Sequence, residues 1–191
     1  MLTYLDIPFK DTTFDMQKDW PTVKPSLPFG QGPVLVIDKT VKLAQTPAIL
    51  HFLAKEHGLE PEGNLNQAFA EMFALQCPDA ILTLQPWMIT IMHNEGEEKI
   101  TEAFNNIAVP KFRDSFANYF EVQLKKNGSG YLVGDKLSWV DFVAASLCDL
   151  MQFRGKSSAL DEYPNLKAHL EKLYSHPKLV EAVKKEHSYP L

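Results

Sequence analysis

Apolar and polar positions change rhythm near residue 60. Before it the apolar residues come in short runs. Val34-Leu35-Val36-Ile37 is β-branched and apolar, Asp38-Lys39-Thr40 reads as a turn, and Val41 to Ala44 returns, which predicts a hairpin. Phe9 to Phe14 reads as a further short strand. Pro8, Pro21, Pro25, Pro28 and Pro33 cluster around these runs and exclude long helices. Gln45-Thr46-Pro47 has the form of a helix start, with Thr46 as N-cap and Pro47 at the first helical position. Ile49, Leu50, Phe52 and Leu53 keep helical spacing, so this helix runs to about His57 and stops at Gly58.

Beyond the polar stretch from Glu60 to Asn64 the period is helical to the end. One long helix is expected from Asn64 to Met92, bent near Pro78 or Pro86. A second runs from Glu97 to Lys126 with an interruption at Pro110, and Asn127-Gly128-Ser129-Gly130 ends it. Ser138-Trp139-Val140-Asp141 has the spacing of a capping box and opens an apolar helix from Trp139 to Met151. Short helices follow at Tyr163–Tyr174 and Pro177–Lys185. The fold class is α+β: a small α/β domain over residues 1–58, then an all-helical domain over 64–191.

Composition narrows the function without naming it. With 45% hydrophobic residues in 191, the chain can bury a core without metals or disulfides. Nineteen basic against 24 acidic residues leave a net charge of −5, which argues against general electrostatic binding to nucleic acid. No apolar run approaches the roughly 20 residues of a membrane span, and Asp6, Pro8 and Lys10 stand where a signal peptide needs its apolar stretch. Cys77 and Cys148 are far apart in the chain and form no CxxC motif, which fits buried thiols in a reducing, cytoplasmic setting. The six histidines show no ligand spacing, so no metal is expected.

Trp20-Pro-Thr-Val-Lys24-Pro-Ser-Leu-Pro-Phe-Gly-Gln31-Gly32-Pro33-Val-Leu-Val, with Lys42-Leu-Ala-Gln45-Thr46-Pro-Ala-Ile, resembles the cytosolic glutathione transferases. The sigma class, which includes the glutathione-dependent prostaglandin D synthases, is the nearest match. Tyr131-Leu-Val-Gly-Asp-Lys-Leu-Ser138-Trp-Val-Asp141-Phe resembles the capping segment of that family's helical domain, and the likeness covers almost the whole chain. It implies a thioredoxin-like domain followed by a helical one, with glutathione as co-substrate.

Carried over, the resemblance gives each polar residue of the first stretch a separate task. Gln31, Gly32 and Pro33 match the segment that meets the cysteinyl part of glutathione, where the family has a cis bond before the proline. Such a bond turns the preceding N–H and C=O outward to pair with the tripeptide like an added strand. Gly32 replaces a larger apolar residue, which leaves the backbone pairing available and the loop looser. Trp20 and Lys24 match the pair that holds the glycine carboxylate by indole N–H and ammonium. Gln45 and Thr46 match the Gln-Ser pair at a helix start that receives the γ-glutamyl carboxylate. Asp79 lies near the position from which a partner subunit in a homodimer offers a carboxylate to the γ-glutamyl amine.

The family's chemistry needs a tyrosine on a first central strand, whose hydroxyl favours thiolate on the glutathione sulfur. Tyr4-Leu-Asp-Ile-Pro-Phe-Lys-Asp11 matches the end of the family's first helix and the next strand, so the domain reads as N-terminally truncated. A second reading takes Leu2-Thr3-Tyr4 as a remnant of the first strand and makes Tyr4 the catalytic candidate. Taken singly, Trp20 reads as an anchor and Lys24 as a solvated charge; together with Gln31-Gly32-Pro33 and Gln45-Thr46 the binding reading prevails. Phe104, Phe112, Phe116, Tyr119 and Phe120 read as helix-packing residues. The expected function is conjugation of glutathione to small apolar electrophiles, or isomerisation of a prostaglandin-like endoperoxide. The alternative is a catalytically silent glutathione-binding or structural relative, like those of the eye lens, and a third reading is a subunit of a heterodimer.

Overall fold

Residues 34–44 fold as the hairpin that their alternation predicts. β1 (Val34–Ile37) pairs antiparallel with β2 (Val41–Ala44), with Val34 opposite Ala44 and Ile37 opposite Val41. The turn closes by Thr40 N–H to Ile37 C=O at 3.1 Å. Asp38 and Lys39 at its centre both have positive φ (49° and 64°), the geometry that matches strand twist in a tight hairpin. The computed structural model describes residues 1–15 and 18–188. It divides into two compact units, Met1–Glu60 and Pro61–Leu191.

In the first unit, α1 (Trp20–Val23) runs directly into a 3-10 turn, Lys24–Ser26, and a second 3-10 turn, Pro28–Gly30, leads to the hairpin. α2 (Thr46–His57) follows β2 and ends where Gly58 takes the left-handed conformation (φ 72°) and donates to Ala54 C=O. The cap lies one residue earlier than expected: Gln45 occupies it with φ 72°, and Thr46 is already inside the helix. Phe9–Phe14 forms no strand, because a strand needs a ladder partner and the described residues supply none beside it. Upstream, residues 2–6 form a turn in which Leu5 N–H reaches Met1 C=O and Ile7 N–H reaches Leu2 C=O, each at 3.1 Å.

The second unit is helical throughout. α3 (Asn64–Met92) runs through both Pro78 and Pro86. α4 (Glu97–Ala103), α5 (Val109–Phe112) and α6 (Asn118–Asn127) are joined by π turns at Phe104–Ala108 and Arg113–Ala117. Pro110 therefore interrupts nothing. The wider π turn ahead of it relieves the ring's clash with the preceding turn and leaves no ordinary i−4 bond for the missing N–H to break. α7 (Trp139–Asp149) continues as a π turn, Leu150–Gly155, and α8 (Pro164–Tyr174) and α9 (Val180–His187) complete the chain.

Aromatic side chains fill this unit's interior. Phe116 stacks on Phe120 at 3.9 Å between centroids, and Phe120 meets Phe73 of α3 edge-on at 5.1 Å. Trp87, fully buried, meets Phe104 at 5.3 Å. Gly155 lies against that same Phe104 ring, where any Cβ would collide with it. Trp139 and Val140 begin the apolar face that α7 packs on α3.

One buried carboxylate organises the loop between α6 and α7. Asp141 is completely buried and accepts from Ser138 N–H (2.8 Å), the Ser138 hydroxyl (3.1 Å), Leu132 N–H (2.9 Å) and the Nε2 of His169 on α8 (2.9 Å). Four donors around one charge make its burial tolerable. Asn127 holds the other end of the loop. Its side-chain amide donates to Ser129 Oγ, Tyr131 C=O and Gly134 C=O within 2.8 Å, while Gly128 N–H caps α6 on Leu124 C=O. Glu121 caps α8 through Asn165 N–H and Leu166 N–H (3.1 and 2.9 Å).

Candidate functional site

The hairpin register assembles most of the candidate residues. Because Val34 pairs with Ala44, the residues just before β1 (Gln31, Gly32, Pro33) lie beside those just after β2 (Gln45, Thr46). The side chains confirm the approach: Gln45 Nε2 donates to Gln31 Oε1 at 3.2 Å. The Gly32–Pro33 peptide bond is cis. Gln31, Gly32, Pro33, Gln45 and Thr46 are all exposed, so their polar groups face solvent rather than a core.

Thr46 opens a helix of 12 residues whose first turn carries no acidic side chain and whose last turn carries Lys55 and His57. Its N–H groups and positive dipole end are open to a carboxylate. Gln45 puts its φ of 72° at the bend between strand and helix, and its C=O still accepts from Ile49 N–H at 3.0 Å.

Trp20 and Lys24 stand one helical turn apart, and Lys24 N–H donates to Trp20 C=O. Trp20 is half-buried and stacks on Phe14 at 5.7 Å with planes 22° apart. Gly30 explains how Lys24 reaches the loop before β1. A Cβ there would stand 3.2 Å from both Cγ and Cε of Lys24, so the bare glycine (φ 58°) leaves the track along which the lysine stem lies. The structure thus gathers Lys24, the Gln31–Pro33 segment, Gln45 and Thr46, with Trp20 at the far end of the same turn.

Two further candidates lie on other segments. Tyr4 is half-buried within the turn of residues 2–6 rather than on a strand. Asp79 is exposed on α3 and belongs to the second unit. The roles of Phe14, Gly30 and Lys42 escaped the sequence reading. Lys42 Nζ donates to Ser26 C=O at 2.6 Å. An aromatic six residues before Trp20 and a glycine six after Lys24 were the available signals, and neither announces a contact before the chain is folded.

No cysteine of this chain supplies a thiolate near neutral pH. Burial pushes the Cys77 thiol up to about 12 and carries Cys148 well above the ordinary range. Among the described residues no group of histidine, cysteine or acidic side chains is disposed to hold a metal ion. No helix there is long and apolar enough to cross a membrane.

A thioredoxin-like first unit with an anion-receptive helix start, joined to a helical unit, defines the glutathione transferase class of proteins. The model of the glutathione S-transferase C-terminal domain matches residues 83–186, and the chain belongs to the glutathione S-transferase family. It is 36% identical over 177 residues to probable glutathione S-transferase 7 of Caenorhabditis elegans, covering 92% of this chain and 82% of that protein. It is similar in structure to monomeric Na-GST-3, a glutathione S-transferase of the hookworm Necator americanus, with a TM-score of 0.86 and 30% identity. That match covers 100% of this chain and 90% of the hookworm protein. Hematopoietic prostaglandin D synthase of Gallus gallus is 26% identical over 97% of this chain and 87% of its own length.

Proposed function

We propose that this chain binds glutathione across the exposed surface formed by Lys24, the Gln31–Pro33 segment and the start of α2, and transfers it to small apolar electrophiles. The observation that carries this is the hairpin register, which sets the cis-proline segment beside Gln45 and Thr46 while Gly30 admits Lys24. On this reading the γ-glutamyl carboxylate meets the α2 N–H groups and the Thr46 hydroxyl. The cysteinyl backbone pairs with Gly32, flanked by Gln31 and Pro33. The glycine carboxylate takes the Lys24 ammonium and the Trp20 indole N–H. The nucleophilic sulfur is then the ligand's own, in keeping with the raised thiols of Cys77 and Cys148.

Isomerisation of a prostaglandin-like endoperoxide is the finer variant that the Gallus gallus relative supports. Tyr4 is the candidate for polarising the sulfur. Its seat in a turn favours a second reading, a catalytically silent glutathione-binding or structural relative. Free, buried cysteines support a cytoplasmic setting.

We also infer a homodimer. Leu65, Phe69, Met72 and Leu75 recur at three- and four-residue spacing along α3, Leu82 follows two turns on, all are 41–69% exposed, and Asp79 falls in the same stripe. Phe29, 79% exposed, adds an apolar tip on the first unit. The Asp79 carboxylate then meets the γ-glutamyl amine held by the partner. Sedimentation of the pure chain tests this; a monomer at all concentrations would remove Asp79 from the site.

The deciding experiment is a thermal melt with and without glutathione, followed by a conjugation assay with an aryl halide. A transition that rises with ligand, as linkage requires when only the folded state binds, together with turnover, supports the transferase. A ligand-induced rise without turnover supports the silent relative. A folded chain whose melt ignores glutathione overturns the transferase and leaves only a structural relative.

A further inference from the structure

The turn that carries Trp20 and Lys24 is short. α1 has four residues, none of them buried, and the 3-10 turn after it has three. So brief a helix has little stability of its own. Its internal bonds are local: Lys24 N–H to Trp20 C=O, Leu27 N–H to Lys24 C=O, and the Ser26 hydroxyl to Val23 C=O. Something outside the turn has to hold it against the hairpin if Lys24 is to stand at a fixed distance from Gln31 and Thr46.

Lys42 supplies that tie. It lies on β2 opposite Val36, on the exposed face of the hairpin, and its Nζ donates to Ser26 C=O at 2.6 Å, a short charge-assisted bond across 16 residues. The acceptor is the last carbonyl of the 3-10 turn, which has no helical partner of its own. Four residues further along the chain from Lys42 comes Thr46, through Ala44 and Gln45. One strand therefore joins two anion-receptive features: the lysine-bearing turn at one end and the start of α2 at the other.

We propose that Lys42 is a positioning residue for the glycyl end of glutathione, acting through the Trp20–Lys24 turn rather than by touching the ligand. The inference rests on the glutathione reading above. Lys42 fixes the turn, Gly30 clears the path of the Lys24 stem, and the Lys24 ammonium is presented ready-made to the glycine carboxylate. Loss of the tie costs affinity for that carboxylate and leaves the γ-glutamyl and cysteinyl contacts as they were.

The test compares two ligands that differ only at that end, glutathione and the dipeptide γ-glutamylcysteine, by titration calorimetry on the full chain. In Lys42→Met, glutathione binding falls about 3- to 10-fold and dipeptide binding is unchanged. Lys42→Arg, which keeps a cationic donor, restores glutathione binding. Lys24→Met lowers glutathione binding by itself, and adding Lys42→Met to it has little further effect, because the tie acts through Lys24. Where turnover is measured, KM for glutathione rises and kcat holds. Equal losses for both ligands in Lys42→Met, or no loss for either, overturn the positioning role while leaving the glutathione reading intact. An unaltered, folded chain that binds neither ligand overturns the glutathione reading and this inference with it.

Discussion

The two units stand at opposite ends of a range. Among the described residues of Met1–Glu60 the buried apolar ones are Ala44, Leu53, Ala54 and Leu59, while Phe29, Val36 and Val41 are more than half exposed. Pro61–Leu191 buries two tryptophans, a run of phenylalanines and a carboxylate saturated with donors. The candidate binding groups follow the reverse order: Lys24, Gln31, Gln45 and Thr46 are all exposed in the first unit. A thin unit displays polar groups on backbone geometry set by turns and a hairpin. A thick one supplies the packing. Substitutions in the second unit should therefore register as stability, and those in the first as binding.

The largest break is expected at Asp141. Asp141→Ala strands Ser138 N–H, Leu132 N–H and His169 Nε2 in a dry interior, and urea unfolding should show a loss of about 3–5 kcal/mol. Gly155→Ala drives a methyl group into the Phe104 ring and should cost about 1–3 kcal/mol in the same measurement. A melt unaltered by either substitution would erase the contrast between the units. Lys24→Ala tests the other half. It should weaken glutathione binding by about 10-fold, roughly 1.4 kcal/mol, with the melting temperature unchanged.

A dependence on alkaline pH separates the units further, because the buried thiols lie in the second. Cys77 keeps its proton up to about 12 in the folded chain, whereas an unfolded thiol loses it near about 8.5. Above that lower value the unfolded state binds fewer protons than the native one, so stability falls as pH rises until the folded thiol ionises too. Melts at about pH 8 and pH 10 should show the drop, and Cys77→Ala should reduce it, leaving the share that belongs to the equally buried Cys148. An unchanged slope in that variant would assign the alkaline loss elsewhere.

Much of this arrangement is legible in the sequence, for reasons that differ by element. The hairpin and the end of α2 follow from β-branched runs and from Gly58, features that act locally. The cap of α2 was misread because glutamine has no preference for that position. The bend between strand and helix puts Gln45 there regardless of propensity. Phe9–Phe14 reads as a short strand but has no ladder partner among the described residues. The π turns on either side of Val109–Phe112 have no signature in the apolar spacing, which reads as one regular helix interrupted at Pro110. For the candidate site, the sequence offers residue types, and the contacts between their segments come only with the fold. Lys24 across Gly30 and Lys42 on Ser26 are contacts between segments.

Asn127 and Gly128 form a pair that ages chemically in any unfolded chain. The glycine nitrogen attacks the asparagine side-chain carbonyl, ammonia leaves, and hydrolysis of the cyclic imide yields aspartate or its isomer. In the folded chain that nitrogen is committed to Leu124 C=O, and the asparagine amide is held by Ser129, Tyr131 and Gly134. The same bonds that finish α6 also delay its decay. Should the pair react, a carboxylate would replace the donor and face two carbonyl oxygens, loosening the loop whose Leu132 N–H reaches Asp141. The lifetime of the helical unit is thus written into one asparagine, whose clock starts only when the loop opens.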